Sequence, residues 1–105
     1  MTEQVYLTGE SIFREGDPGD VMYVLLAGAV DLKKRVEGGE TVLSTIDEPN
    51  EFFGEMACIL REPRTAWAVA QTDTTVFILP SSMFKGLLNQ DPNAATRMVE
   101  LLATR

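Results

Sequence analysis

The sequence predicts a mainly β domain that ends in α-helices, and three observations support this. Turn-forming residues recur about every eight to ten residues through the first three quarters of the chain, which is the spacing of a sandwich or barrel. Short apolar runs separate these turns, and helical spacing replaces them after Pro80. Because 105 residues suit one domain, we expect a single domain over residues 1–105. Strands should occupy about 4–80, with helices over about 81–105.

Two turn motifs predict where the strands begin and end. Pro18 presets the first central position of a turn, and Gly19 can take positive φ at the second, as a type II turn requires. Gly38-Gly39 predicts a tight hairpin between strands at residues 30–36 and 41–46.

Three further apolar runs are predicted to be strands. Residues 21–26 are almost continuously apolar, which indicates a central strand covered on both faces. Residues 66–72 alternate large and small side chains, and residues 75–79 follow after a short turn. We expect these last two strands to pair with each other.

The last quarter of the chain has helical periodicity. Ser81 or Ser82 can cap a first helix, and Asp91-Pro92 predicts a second helix with proline at its first position. Apolar residues fall on one face of each helix: Met83, Phe84, Leu87 and Leu88 in the first, and Ala95, Met98, Val99 and Leu102 in the second.

Composition excludes several kinds of partner and site. Nine basic and sixteen acidic residues give a net charge of −7, so we expect neither nucleic acid nor an anionic membrane as a partner. No stretch approaches ~20 apolar residues and the N-terminus lacks a signal pattern, so we expect a cytoplasmic protein. With no His and one cysteine, we expect no metal site and no internal disulfide. Cys58 has no His to activate it, and we expect no catalytic activity.

One segment, "FGEMACILREPRTAW", carries candidate chemistry. Residues 54–60 can form a short helix opened by Gly54, whose free N–H groups would favour an anion. Arg64 could reach the same point and form charge-assisted bonds to a phosphate. Glu55 is negative, so it must bond a donor, either a sugar hydroxyl or Arg64 itself.

The same segment resembles the phosphate-binding cassette of the cyclic nucleotide-binding domain family, which includes the catabolite activator protein and the regulatory subunits of cAMP-dependent protein kinase. The resemblance extends over nearly the whole chain. "IFREGDPGDVMYVLLAGAVDL" is similar to the first strands of the family, and "VFILPSSMFKGLL" is similar to the strand and helix after the cassette.

The resemblance implies roles for individual residues. Glu55 would accept from the ribose 2′-hydroxyl, and Arg64 would bind the exocyclic oxygens of the cyclic phosphate. Backbone N–H groups around Met56 and Ala57 would complete the phosphate cradle, and Gly54 would allow close approach. Thr65 lies where a hydroxyl can bond the phosphate or the guanine amino group, so the ligand is expected to be cAMP or cGMP.

The family also implies a fold and a signal. The fold would be an eight-stranded β-roll, a jelly roll, with a short cassette helix and C-terminal helices. Phe84 and Leu88 would pack near Ile59 and Leu60 and move as the ligand draws the cassette inward. An effector protein or a second copy of the chain, bound through the C-terminal helix, would receive the signal.

These residues lead us to expect a regulatory sensor that binds a cyclic nucleotide. We expect Arg64→Leu to remove binding and leave thermal stability almost unchanged. The alternative is a ligand-free β-roll interaction module in which Glu55 and Arg64 form a structural ion pair. A cupin-like enzyme on a similar roll would need His ligands for its metal, and the chain has none.

Overall fold

The strands account for most of the computed structural model, which describes residues 2–55, 57, 61–82 and 93. Eight strands form within these residues. They are β1 (Thr2–Tyr6), β2 (Ser11–Phe13), β3 (Val21–Ala27), β4 (Val30–Val36), β5 (Gly39–Ile46), β6 (Phe52–Phe53), β7 (Trp67–Ala70) and β8 (Thr74–Pro80).

The eight strands form two antiparallel sheets of four. The first sheet has the order β1-β8-β3-β6, and the second has the order β2-β7-β4-β5. This arrangement confirms the predicted mainly β class. The predicted central strand is confirmed as well, because β3 lies between β8 and β6 and buries Met22, Tyr23 and Leu25.

The predicted pairing of the last two strands is wrong. β7 pairs with β2 and β4, whereas β8 pairs with β1 and β3 in the other sheet. Both edges of each strand are already occupied, those of β7 by β2 and β4 and those of β8 by β1 and β3, so neither strand has a free edge for the other. The turn at 71–73 therefore carries the chain from one sheet to the other.

The hairpin predicted at Gly38-Gly39 forms, with its loop one residue earlier than predicted. Val36 pairs with Gly39 across the β4–β5 hairpin, and Gly38 has a φ of 87°. The hairpin between the two predicted strands is confirmed, but its two-residue loop is Glu37-Gly38, and Gly39 is already the first residue of β5. The φ of Gly38 is in the range that suits glycine.

The turn predicted at Pro18 and Gly19 lies earlier in the chain. The positive φ of 90° belongs to Gly16, and the Asp17 N–H donates to the Arg14 carbonyl at 3.1 Å. Gly19 has a packing role instead, because a Cβ added there would lie 2.2 Å from the Cβ of Ala57. The loop between β2 and β3 is thus pressed directly against the cassette.

An aromatic stack forms the middle of the core between the sheets. The ring centroids of Phe13 and Tyr23 are 5.7 Å apart, and those of Tyr23 and Phe53 are 5.0 Å apart. All three rings are buried. Offset or tilted ring pairs at these distances stabilise a core beyond the area that they bury.

Most of the predicted helical region lies outside the described residues. Ser81, Ser82 and Asn93 are helical in conformation, and Pro80 is the last residue of β8, as predicted for the end of that strand. In the part of the chain that the structure describes, no helix is both long enough and apolar enough to cross a membrane.

Candidate functional site

A cavity of about 150 Å³ is lined by most of the residues that were predicted from the sequence to bind a ligand. Its lining residues are Phe13, Leu32, Gly54, Glu55, Ala57, Arg64, Thr65 and Ala66. Five of the six predicted ligand-binding residues are therefore in one place. The sixth, Met56, lies outside the described residues, as do the predicted switch residues Ile59, Leu60, Phe84 and Leu88.

The backbone of Arg64 is fixed by the turn that follows β2. Its N–H donates to the Asp17 carbonyl at 2.8 Å, and its carbonyl accepts from the Gly16 N–H at 2.8 Å. Both bonds form immediately after Pro63, which restricts the chain before Arg64. The arginine therefore enters the cavity from an anchored segment.

The guanidinium of Arg64 is held inside the protein. Nη1 donates to the carbonyl of Gly54, and Nη2 donates to the carbonyl of Val21. The guanidinium carbon lies 4.5 Å from the ring centroid of Phe13, in a cation–π contact. Arg64 is 4% exposed, so the orientation of its side chain is set by neighbouring residues.

One donor of Arg64 remains available. The Nε atom is buried and has no hydrogen-bond partner among the residues that the structure describes. A buried donor without a partner costs about 1–3 kcal/mol, and a buried cation is stabilised by an anion with acceptor oxygens. The cavity therefore has both the charge and the free donor that an anionic group would satisfy.

Gly54 fits against Arg64 so closely that a side chain would not be accommodated. Its φ is 74°, and a Cβ added there would lie 2.9 Å from Nη1 of Arg64. The same Cβ would lie 3.1 Å from Tyr23 and 3.2 Å from Phe13. Glycine is therefore required here for two reasons, its positive φ and the approach of the guanidinium.

Glu55 supplies a carboxylate to the same cavity. It is 3% exposed, and both Glu55 and Ala57 are helical in conformation. The Glu62 N–H donates to the Ala57 carbonyl at 3.2 Å. An ionised carboxylate accepts hydrogen bonds, so a ligand hydroxyl could donate to it.

Three lining residues were not nominated from the sequence. Phe13, Leu32 and Ala66 are apolar and come from β2, from β4 and from the residue before β7. Nothing in the local sequence distinguishes them from other core residues, because only the order of the strands in the sheet brings them together. They add apolar lining to a cavity that also contains charged residues.

Tyr23 completes the surroundings of Arg64 as a neutral group. Burial raises the pKa of Tyr23 to about 12, and this effect outweighs the lowering by Arg64, whose guanidinium carbon lies 5.7 Å from the ring. No group of three or more potential metal ligands occurs within the described residues.

Comparison with known proteins identifies a family. The sequence profile of the cyclic nucleotide-binding domain matches residues 3–91. The chain is 29% identical over 97 residues to the CRP-like cAMP-activated global transcriptional regulator of Mycobacterium tuberculosis, covering 92% of this chain and 43% of that protein.

Two solved structures are similar in fold. The catabolite activator protein of Thermus thermophilus has a TM-score of 0.87 and 34% identity, covering 99% of this chain and 49% of that one. The regulatory domain of Toxoplasma gondii PKA, crystallised with cAMP, has a TM-score of 0.81 and 25% identity, covering 98% and 39%. The chain thus spans at most about half the length of these relatives.

Proposed function

The chain belongs to the cyclic nucleotide-binding domain family, and we propose that it binds cAMP or cGMP as a regulatory sensor. The observation that carries the proposal is the buried Arg64, which lines the same cavity as Glu55 and whose Nε has no hydrogen-bond partner among the described residues. The similar regulatory domain from Toxoplasma gondii was crystallised with cAMP, which supports the same ligand class.

In this proposal the two charged residues bind opposite parts of one ligand. Arg64 donates to the exocyclic oxygens of the cyclic phosphate, and Nε gains an acceptor. Glu55 accepts from the ribose 2′-hydroxyl. Backbone N–H groups around Met56 and Ala57 complete the phosphate cradle, and Gly54 keeps the backbone close enough to contact it.

The base would lie toward the apolar wall and the rim. A cavity of about 150 Å³ is below the 300–1,000 Å³ of typical small-molecule pockets. It would therefore hold the sugar and phosphate while the base extends past Leu32. Thr65 is exposed at the edge of the cavity, where its hydroxyl could discriminate between guanine and adenine.

The loop between β2 and β3 offers a connection from the cassette to the C-terminal segment. Gly19 packs against Ala57, and the Ser81 N–H donates to the carbonyl of Asp20 at 2.9 Å. A cassette that moved on binding would therefore push on residues directly joined to the start of the predicted helices. We propose that those helices transmit occupancy to an effector protein or a second copy.

Calorimetric titration with cAMP and cGMP in parallel tests the proposal. Arg64→Lys keeps the charge but removes the forked donors. Each charge-assisted bond contributes about 1.5–3 kcal/mol, so losing one should weaken binding by roughly 10- to 150-fold. Arg61→Lys, at an exposed arginine that does not line the cavity, should leave the affinity unchanged.

The structure changes the expectation for Arg64→Leu. Leucine would leave the carbonyls of Gly54 and Val21 without their donor, so this variant should lose stability as well as binding. If neither nucleotide binds the wild-type chain or raises its melting temperature, the ligand-free interaction module is the better description. A ligand of the folded state must raise that temperature by mass action.

A further inference from the structure

A second concave surface lies on the second sheet, away from the cavity described above. It is a groove of about 370 Å³ lined by Arg14, Glu15, Arg35 and Trp67. These residues come from the end of β2, from β4 and from β7. None of the four lines the cavity around Arg64, so the groove is a separate feature. We refer to it as the Trp67 groove.

Trp67 is a fixed aromatic platform in this groove. Its indole Nε1 donates to the hydroxyl of Ser11 at 2.7 Å, and the ammonium of Lys33 lies 5.8 Å from its ring centroid. The side chain is half-buried. A large ring that is already held in place loses little conformational entropy when a partner covers it.

Two arginines line the same groove as Trp67. Arg14 and Arg35 are exposed, and neither forms an ion pair within the part of the chain that the structure describes. Lys33, in contrast, is paired with Glu40 at 3.8 Å. Glu15 is the single acid that lines the groove. In a chain of net charge −7, this is a local surface that attracts anions.

An apolar patch continues the groove across the sheet. Lys33 is the register partner of both Trp67 in β7 and Val42 in β5. Val42 is 52% exposed and the adjacent Leu43 is 56% exposed. Tryptophan and arginine are the residue types that dominate binding energy at protein interfaces. The Trp67 groove and the apolar patch beside it therefore combine apolar contact area with arginines that form no ion pair among the described residues.

We propose that the Trp67 groove docks an acidic segment of a partner protein. Apolar side chains of the segment contact Trp67 and Val42, and its carboxylates pair with the guanidinium groups of Arg14 and Arg35. A nucleic acid is the less suitable occupant, because its phosphate backbone would continue beyond the groove over a chain of net charge −7, whereas a short acidic segment contacts the groove alone.

Fluorescence provides a direct test, because Trp67 is the one tryptophan of the chain. The probe is a short blocked peptide of glutamates flanking a central leucine, and its control carries lysines in place of the glutamates. The glutamate peptide should change Trp67 emission saturably and bind more weakly as salt is added. The lysine peptide should have no effect.

Matched variants assign the binding to named residues. Arg35→Gln and Arg14→Gln should each weaken the glutamate peptide by roughly two- to fivefold, the range of exposed ion pairs. Lys34→Gln removes the same charge from the neighbouring position, which does not line the groove, and should leave binding unchanged.

Three results would overturn the proposal. One is the absence of a saturable response to the glutamate peptide. Another is equal weakening by Lys34→Gln and Arg35→Gln, which would indicate non-specific attraction. The last is displacement of the peptide by inorganic phosphate or a short RNA at equal charge concentration, which would assign the groove to phosphate groups.

Discussion

Replacing Gly54 by alanine tests the geometry of the cavity most sharply. The added Cβ would lie 2.9 Å from Nη1 of Arg64 and 3.1 Å from Tyr23, at a φ of 74°. A left-handed conformation costs an alanine about 1–2 kcal/mol, and overpacking a filled site costs about 1–3 kcal/mol. Gly54→Ala should therefore reduce the free energy of unfolding by about 2–5 kcal/mol.

Gly9 provides a matched control for the cost of placing alanine at a positive φ. Its φ is 86°, and a Cβ added there meets nothing within 4 Å. Gly9→Ala should therefore show the conformational cost alone, about 1–2 kcal/mol. The difference between the two variants isolates the crowding against Arg64, Tyr23 and Phe13.

Urea denaturation of both variants gives the two free energies, and calorimetric titration of Gly54→Ala with cAMP gives the effect on binding. Nucleotide affinity should fall in Gly54→Ala because the guanidinium must move, and it should be unchanged in Gly9→Ala. If the two variants are equally stable, the close approach of Gly54 to Arg64 is not a constraint, and our account of this glycine is wrong.

Three other predictions follow from described contacts. Gly19→Ala should destabilise the chain although its φ is not positive, because the new Cβ would overlap Ala57, and urea denaturation measures the loss. Burial raises the pKa of Tyr23 to about 12, above its unfolded value of about 10. The contribution of Tyr23 to the free energy of unfolding is therefore complete below pH 10. It decreases by roughly 1–2 kcal/mol as the pH rises toward 12, after allowing for solvent screening. Tyr23→Phe should flatten this alkaline limb in pH-dependent denaturation. Hydrogen bonds from the backbone and hydroxyl of Thr8 lower the pKa of Asp73. Asp73 therefore stabilises the fold at pH values above its ordinary pKa, and this stabilisation is lost as the pH falls through its lowered folded-state pKa. Thr8→Val should raise that pKa in an NMR titration, and an unchanged value would contradict the role of the hydroxyl.

The sequence predicted strands best where local signals were strong. The hairpin at Gly38 was predicted because two adjacent glycines are a strong turn signal, although its loop lies one residue earlier, at Glu37-Gly38. The partner of β8 was not, since a short turn can join strands in one sheet or lead into the facing sheet. The distinction depends on β1 and β3, which occupy both edges of β8, and that sheet order is a property of the assembled fold.

Gly19 was predicted to be structurally important, but for a reason that the structure does not support. Its position after Pro18 is typical of a type II turn, but the positive φ belongs to Gly16. What requires glycine at 19 is Ala57, which is almost forty positions away in the sequence and invisible to any local pattern. The contact places the β2–β3 loop against the cassette.

The candidate site likewise contains residues that the local sequence predicts and residues that only the fold brings to the site. Gly54, Glu55 and Arg64 could be predicted because a glycine that opens a short helical segment and an arginine after a proline lie in one short stretch, whereas Phe13 could not. Yet Phe13 is what lets Arg64 remain buried, because its ring covers the guanidinium while two backbone carbonyls hold the terminal nitrogens. The side chain is therefore ordered before any ligand arrives, so binding need not repeat that entropic cost. An acidic chain can hold an anion under these conditions, because the distant carboxylates are screened by solvent while the oriented guanidinium acts at contact distance.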